Sequence, residues 1–265
     1  MFIIYLFLSL MVYLDILPIG RTKNIFELEF LGRRLNTLIG LFGSTASIDA
    51  YAAVTLLINL FFYKGKYRRF FILASFLAAF FTFRASPYLV FFGALSIYYI
   101  RKVIKTPLTD FLGLCAIFLL FITPVFVKLF FGQTGLLLFD LFLTGRASLW
   151  LEMLNIYQSS DILEKLIGFG VTDRFEVMPW GHLTTNPHNT FFNILLLYGA
   201  PIFIMCFCFV YYVFRRLDDR YAMLFVGVLL AGVGNSLLFS FMSLPLVFTF
   251  LICCTQLDTH AGEGS

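Results

Sequence analysis

The chain has 265 residues, of which 60% are hydrophobic and only 13% are charged. Charged residues make up roughly a quarter of an average soluble domain, so this composition excludes an ordinary globular enzyme and indicates an integral membrane protein. The formal net charge of +4 comes from short basic loops. Because these loops form no basic stripe on a soluble face, no nucleic-acid partner is expected.

The apolar stretches predict about eight transmembrane helices, because a helix needs roughly 20 apolar residues to cross a bilayer. They lie at about 2–19, 44–63, 70–83, 87–100, 108–130, 189–214, 222–239 and 241–257. The predicted fold class is therefore an all-α membrane protein, with residues 1–265 forming a single polytopic domain. The long polar interruption at 131–188 predicts one large loop outside the bilayer.

Basic residues set the orientation of the predicted spans. Lys and Arg cluster in three short loops, at about 64–69, 101–105 and 215–220. Because such residues accumulate on the cytoplasmic side, these loops are expected inside the cell. Segment 20–43, Arg84 and segment 131–188 then lie outside, and both termini lie inside.

The cysteines are expected to be packing residues. All five lie within predicted spans, and none has the spacing of a zinc site or a position in an outer loop where a disulfide would form. They are Cys115, Cys206, Cys208, Cys253 and Cys254. No metal and no cofactor are predicted.

The external loop is expected to contain an amphipathic helix. Thr144 is placed to cap a helix that runs to about Gln158, and its apolar residues recur at helical spacing. These residues are Leu149, Trp150, Met153, Leu154 and Tyr157. The helix should lie on the bundle or the membrane surface. Gly168-Phe169-Gly170 ends the pattern, and 171–187 predicts an irregular segment whose Trp180 anchors at the interface.

A second helix start is predicted at the end of this loop. Asn186 is expected to cap the helix, Pro187 to take its first position, and His188 to fall in the first turn. The positive end of the helix dipole disfavours imidazolium, so His188 is a candidate neutral base. His182 lies in the irregular segment, without the spacing of a helical metal site.

Arg84, Arg146 and His188 thus mark three predicted helix starts on the outer face. Backbone N–H groups at a helix start favour anions, and two guanidiniums would add to that preference. The combination predicts a site for a phosphate-bearing ligand beside a base. Each residue also has an ordinary explanation: snorkelling from a span end for Arg84, and plain surface exposure for Arg146 and His188.

External acids provide alternatives for the base or partners that orient an arginine. They are expected to be mostly solvated, and the set is Asp140, Glu152, Asp173 and Glu176.

Four short motifs occur in a distinctive order: TFRAS between two spans, TGRASLW in the long loop, GFG after it, and NPHNTFFNILLLYG at the next span. In this order and on this common side, they resemble the O-antigen ligase and polysaccharide polymerase family. The resemblance covers about 30–257. Two features depart from the family pattern: members usually carry several more spans before this region, and TFRAS lacks the second serine common in that motif. These departures leave two alternatives open, a complete protein or a member that lacks its N-terminal spans.

The resemblance implies a metal-independent, inverting glycosyltransferase of a bacterial inner membrane, with its active site on the external face. Its donor would be a glycan linked to undecaprenyl or another polyprenyl diphosphate, and its acceptor another glycan. In the family, the arginines matching Arg84 and Arg146 handle the donor diphosphate, and the histidine matching His188 serves the acceptor. We add Asn189 and Trp180 as expected substrate-binding residues.

Polymerisation of an O-antigen or capsule-type polysaccharide is the predicted function, with membrane lipid as an environment and chain-length regulators or export proteins as partners. A ligase that transfers polymer to lipid A core keeps the same chemistry and is the nearest alternative. A flippase or other transporter of lipid-linked glycans, with Arg84 lining a pathway, is the alternative from another class. A structural membrane subunit would leave the three helix-start residues without a shared role.

Overall fold

A computed structural model describes residues 27–30, 33–36, 45–80, 85–104, 106–143, 145–170 and 187–234. The described chain is predominantly helical, which confirms the predicted helical class. It divides into two compact units, residues 1–92 and residues 93–265, with the boundary inside one helix.

The first unit contains a hairpin and two packed helices. Strands β1 (Glu27–Phe30) and β2 (Arg33–Asn36) pair antiparallel, with Glu27 opposite Asn36. This hairpin was not predicted for the external segment 20–43, although the alternation in β1 of acidic and apolar residues is the period-two pattern of a strand. Helices α1 (Thr45–Phe61) and α2 (Arg68–Phe80) follow. Helix α3 (Ala85–Val103) begins in this unit.

A buried amide joins α1 to α2. The Nδ2 of Asn59 donates to Ser75 Oγ at 3.0 Å and to the Phe71 carbonyl oxygen at 3.2 Å. Asn59 is 7% exposed and Ser75 2%. A polar group in an apolar interior is costly unless it is bonded, so these two bonds fix the pairing of the helices.

The second unit continues from α3 through α4 (Pro107–Phe118), a short 3₁₀ turn (Leu120–Ile122) and α5 (Thr123–Phe142). The prediction of one span over 108–130 was wrong, because the chain breaks into two helices at this turn. Helix α5 continues to Phe142, into the segment predicted as external loop, and it kinks at Gly132. Helices α6 (Arg146–Ser159) and α7 (Ile162–Ile167) follow.

The last described helices are α8 (Thr190–Arg216) and α9 (Asp219–Gly234). Stacked aromatic rings join the α4 end of the bundle to the start of α8: Phe118 lies 4.0 Å from Phe191, and Phe121 lies 4.4 Å from Phe192, between ring centroids. Within the described residues, two stretches are long and apolar enough to cross a membrane, 120–141 and 190–216. The predicted spans 2–19 and 241–257 lie outside the described residues.

A buried ion cluster gathers the ends of four helices. Arg101 of α3, only 2% exposed, has its Nε 3.3 Å from Asp110 Oδ1 of α4 and 3.7 Å from Asp219 Oδ1 of α9. Arg215 Nη1 of α8 lies 2.9 Å from the other Asp110 oxygen. The basic loops near 101–105 and 215–220 therefore share one face of this unit, as the predicted orientation requires. The sequence pattern assigned these arginines only to cytoplasmic loops and did not predict the cluster.

Candidate functional site

Arg146 is the first residue of α6, as predicted, but the cap of that helix differs. The N-cap is Gly145, in a left-handed conformation with φ 85°, and it forms no side-chain cap bond. The prediction that Thr144 caps the helix was wrong, and Thr144 itself lies outside the described residues. The left-handed conformation has no steric cost for glycine, unlike for other residues, so Gly145 allows the turn after which α6 begins at Arg146.

A carboxylate from α5 replaces the missing cap. Asp140 Oδ1 accepts a hydrogen bond from the Ser148 backbone N–H at 3.0 Å, and Asp140 Oδ2 accepts from Ser148 Oγ at 2.7 Å. Asp140 therefore serves the first turn of α6, where an acidic group complements the helix dipole. Both of its oxygens are engaged, which favours a structural role over that of the alternative base. Glu152, another of the predicted acids, is exposed on α6.

The apolar face predicted for this helix is confirmed. Leu149, Trp150, Met153 and Leu154 are buried. Tyr157, at the end of the same face, is half-buried, and burial raises the pKa of its phenol. The Tyr157 hydroxyl donates to the Lys165 carbonyl oxygen at 3.5 Å, which ties α6 to the following helix α7.

One buried hydrogen bond connects the Arg146 helix to the His188 turn. Trp150 is 1% exposed, and its Nε1 donates to the Pro187 carbonyl oxygen at 2.7 Å. Arg146 and Trp150 are four residues apart in α6, so they lie on the same face of the helix. The bond therefore ties the turn that carries His188, the residue after Pro187, to the helix that begins at Arg146.

The helix after this turn begins later than predicted. Asn189, not Asn186, is the N-cap of α8: its Oδ1 accepts from the N–H groups of Phe191 and Phe192, at 3.0 and 3.1 Å. The predictions that Asn186 caps and that Pro187 opens the helix were wrong. His188 lies just before the cap instead of in the first turn. The positive end of the helix dipole therefore disfavours a charged His188 ring less strongly than the predicted position implied.

His188 has an unusual backbone. Its φ is 51°, the left-handed region that non-glycine residues seldom adopt, and among the described non-glycine residues it stands alone in this respect. The side chain is exposed. The exposed imidazole is thus carried by a residue with a strained backbone, between the Trp150 bond and the Asn189 cap, and such strain is often found at functional sites.

Asn189 was predicted to bind substrate, and its geometry indicates a positioning role. The side chain is fully buried, and its Oδ1 is used by the cap. Its Nδ2 has no hydrogen-bond partner in the part of the chain that the structure describes. Asn189 therefore fixes the turn that presents His188.

The structure also gives a physical reason for the GFG motif, for which the sequence predicted a helix break but no contact partner. Helix α8 is interrupted at Gly199 (φ 79°, ψ 176°), and Pro201 follows. In a regular helix the N–H of residue 201 would donate to the Leu197 carbonyl oxygen, but residue 201 is proline and has no N–H. The N–H of Phe169 instead donates to the Leu196 carbonyl oxygen at 2.8 Å, and that of Gly170 to Leu197 at 3.0 Å.

Close backbone contact makes glycine necessary on both sides of this junction. A Cβ on Gly168 would lie 2.4 Å from the Leu197 carbonyl oxygen, and one on Gly199 would lie 2.2 Å from that of Leu166. Both residues also have positive φ. The motifs GFG and YGAP are thus two halves of one contact, a relation that spacing along the chain does not reveal.

Several predicted residues lie outside the described part of the chain: Arg84, Trp180, His182, Asp173 and Glu176. Helix α3 begins at Ala85, directly after Arg84, so the predicted helix start is correct at that position. Among the described residues, no three His, Cys, Asp or Glu side chains are arranged to hold a metal ion. Cys115 and Cys206 are half-buried and Cys208 is exposed, all as free thiols.

Comparisons with protein-family models, with curated proteins and with solved structures each found no match for this chain.

Proposed function

We propose that this chain is a membrane-embedded glycosyltransferase that extends a cell-surface polysaccharide on the external face of a bacterial inner membrane. Its donor is an oligosaccharide on a polyprenyl diphosphate, and its acceptor is a sugar hydroxyl of a second lipid-linked glycan. The Trp150 bond to Pro187 supports the proposal, because it ties the turn that carries the exposed His188 to the helix that begins at Arg146. The motif resemblance supplies the substrate class.

The chemistry assigned to these residues is a single displacement. The acceptor hydroxyl oxygen attacks the anomeric carbon, the bond from that carbon to the diphosphate breaks, and the bonding electrons leave with the diphosphate. Arg146, with Arg84 as the second proposed cation, stabilises the charge that develops on the leaving group. His188 takes the hydroxyl proton, a contribution of about 10²–10⁴-fold in such reactions. Attack from the opposite side inverts the anomeric centre.

A transporter is the second candidate, and the interrupted helix α8 is the observation that favours it. Discontinuous membrane helices often bind the substrate or ion of a transporter through their freed backbone groups. In α8, however, Phe169 and Gly170 already satisfy the carbonyls of Leu196 and Leu197. The break is therefore closed by the chain itself, which favours the enzyme.

The glycan profile of a deletion strain tests the proposal and separates it from the ligase. A polymerase predicts that single repeat units remain on their lipid carrier and that no polymer forms. A ligase predicts full-length polymer that accumulates on the lipid carrier. A transporter predicts lipid-linked units retained on the cytoplasmic leaflet, where an external glycosidase cannot reach them. An unchanged glycan profile would reject all three.

A further inference from the structure

Helix α7 exposes its apolar side chains, whereas a short surface helix in water normally buries them. Its apolar residues are exposed: Ile162 by 71%, Leu163 by 62%, Leu166 by 47% and Ile167 by 66%. A helix in water buries such residues and exposes its charges, so a continuous apolar surface of this kind indicates a binding face.

The charged side chains of α7 are withdrawn from this surface. Lys165 is half-buried, and its Nζ donates to the Gln158 carbonyl oxygen at 2.8 Å. Glu164 is half-buried as well. Asp161 is the N-cap of the helix, and its Oδ1 accepts a hydrogen bond from the Glu164 N–H at 2.7 Å. The strongly exposed side chains of the helix beyond the cap are therefore all apolar.

The position of α7 indicates what covers this face. The segment that follows it, 168–170, is bonded to the interruption of α8, so α7 is attached to a helix with the length and composition of a membrane span. Gly199 lies about 24 Å from Arg215 along a straight helix. If Arg215 marks the inner edge of a hydrocarbon layer about 30 Å thick and the helix after Gly199 stands upright, the junction is roughly 6 Å below the outer edge.

The exposed faces of α7 and α8 are also alike. On α8, Ile204, Met205 and Phe209 are exposed by 58%, 60% and 67%, the range found for α7. Lipid is the expected neighbour of such residues in a span. Backbone groups at this depth must be paired within the protein, and the N–H groups of Phe169 and Gly170 are paired with carbonyls of α8.

We propose that residues 162–170 form a re-entrant element, in which the apolar face of α7 contacts the acyl chains of the outer leaflet. The inference rests on the membrane location proposed above, but it does not depend on glycosyl transfer. A segment that enters the bilayer and returns would anchor the C-terminal end of α6, and with it the site, at a fixed depth.

Depth-dependent quenching tests this proposal on the full-length protein. In a background without native cysteines, single cysteines at Leu163, Ile167, Phe209 and Asn155 carry an environment-sensitive fluorophore in phosphatidylcholine vesicles. Asn155, exposed on α6, is the aqueous control. Phe209 is the lipid control.

The probes at 163 and 167 should be quenched by lipids brominated on the acyl chain, at least half as strongly as the probe at 209, and should be protected from aqueous iodide. The probe at 155 should show the opposite behaviour. If 163 and 167 respond to iodide as 155 does while 209 responds to brominated lipid, the re-entrant element is rejected and the span remains. If 209 also fails to respond to brominated lipid, the membrane location and this inference both fall.

Discussion

The conformation of His188 allows the role of its ring to be separated from the role of its backbone. A left-handed residue costs about 1–2 kcal/mol for most side chains, whereas glycine and asparagine adopt that conformation readily. His188→Asn and His188→Gly should therefore fold normally, with little change in the melting temperature of detergent-extracted protein. Both should lose about 10²–10⁴-fold in the rate of glycan transfer if the imidazole accepts the proton. Near-normal transfer by His188→Gly would exclude the imidazole as the base.

Substitution of Arg146 tests whether its guanidinium binds the donor diphosphate. Arginine binds phosphate oxygens through a planar, two-pronged set of donors that lysine lacks, although both carry one positive charge. We expect Arg146→Lys to lower kcat/KM for a lipid-diphosphate-linked donor at least tenfold, with unchanged expression. Arg69→Lys, an exposed position at the start of α2, is the matched control and should be silent. Equal activity in the two variants would make Arg146 a surface residue.

The residue-scale predictions from sequence were correct where the local signal was unambiguous. Arg146 does open a helix, and the buried face of that helix is the predicted one. The cap of α8 was assigned wrongly because Asn186 and Asn189 both fit the cap preference. The extended backbone of Asn189 (φ −140°, ψ 116°) and the positive φ of His188 decide between them, and neither angle is encoded in residue type alone.

At the scale of elements, the bond from Trp150 to Pro187 should couple stability to activity. Trp150→Phe keeps most of the apolar volume but leaves the buried Pro187 carbonyl unpaired, a loss of about 1–3 kcal/mol. We expect a lower melting temperature and reduced transfer, because His188 loses its fixed position beside α6. Leu149→Ile, on the same buried face, repacks without removing a hydrogen bond and is the control. A Trp150→Phe protein that is destabilised but fully active would show that this bond does not position the site.

The interruption of α8 gives a second element-scale prediction. Gly199 and Gly132 have similar conformations, with φ 79° and 65° and ψ near ±180°, which are accessible essentially to glycine. They differ in their surroundings: a Cβ at 199 meets the Leu166 carbonyl oxygen, whereas a Cβ at 132 has nothing within 4 Å.

Gly199→Ala should therefore lower the melting temperature of the extracted protein more than Gly132→Ala does. The first variant suffers both strain and a backbone collision, and the second suffers strain alone. Equal effects of the two substitutions would contradict the close contact between the segment 166–170 and α8.

Element boundaries were predicted well only where a polar or basic residue marked them. Helices α1, α2 and α3 begin and end near the predicted limits. The stretch 108–130 was read as continuous because its composition is apolar throughout, and apolar composition does not record a turn such as 120–122. The break in α8 has visible markers, Gly199 and Pro201, but its closure depends on N–H groups some thirty residues earlier in the chain.

At the scale of the whole molecule, composition predicted the helical class, while the charge pattern predicted which loops share a face. The ion cluster of Arg101, Asp110, Arg215 and Asp219 agrees with that charge pattern in the second unit. The β hairpin and the buried pairing of Arg101 were missed. Because the composition is hydrophobic throughout, it predicts transmembrane helices along most of the chain. It carries no signal for short elements such as the hairpin or for ion pairs between distant residues.

The proposed reaction can be measured on the full-length protein reconstituted in vesicles, with an undecaprenyl-diphosphate-linked oligosaccharide added to the outside. The wild-type protein should form lipid-linked products longer by whole repeat units, with an inverted anomeric configuration at each new linkage and the same yield when a chelator is present. His188→Gly should make no such product while incorporating normally into vesicles. If the wild-type protein neither lengthens nor transfers the glycan, it is not the proposed glycosyltransferase, and if wild-type and His188→Gly form equal product, His188 is not the base.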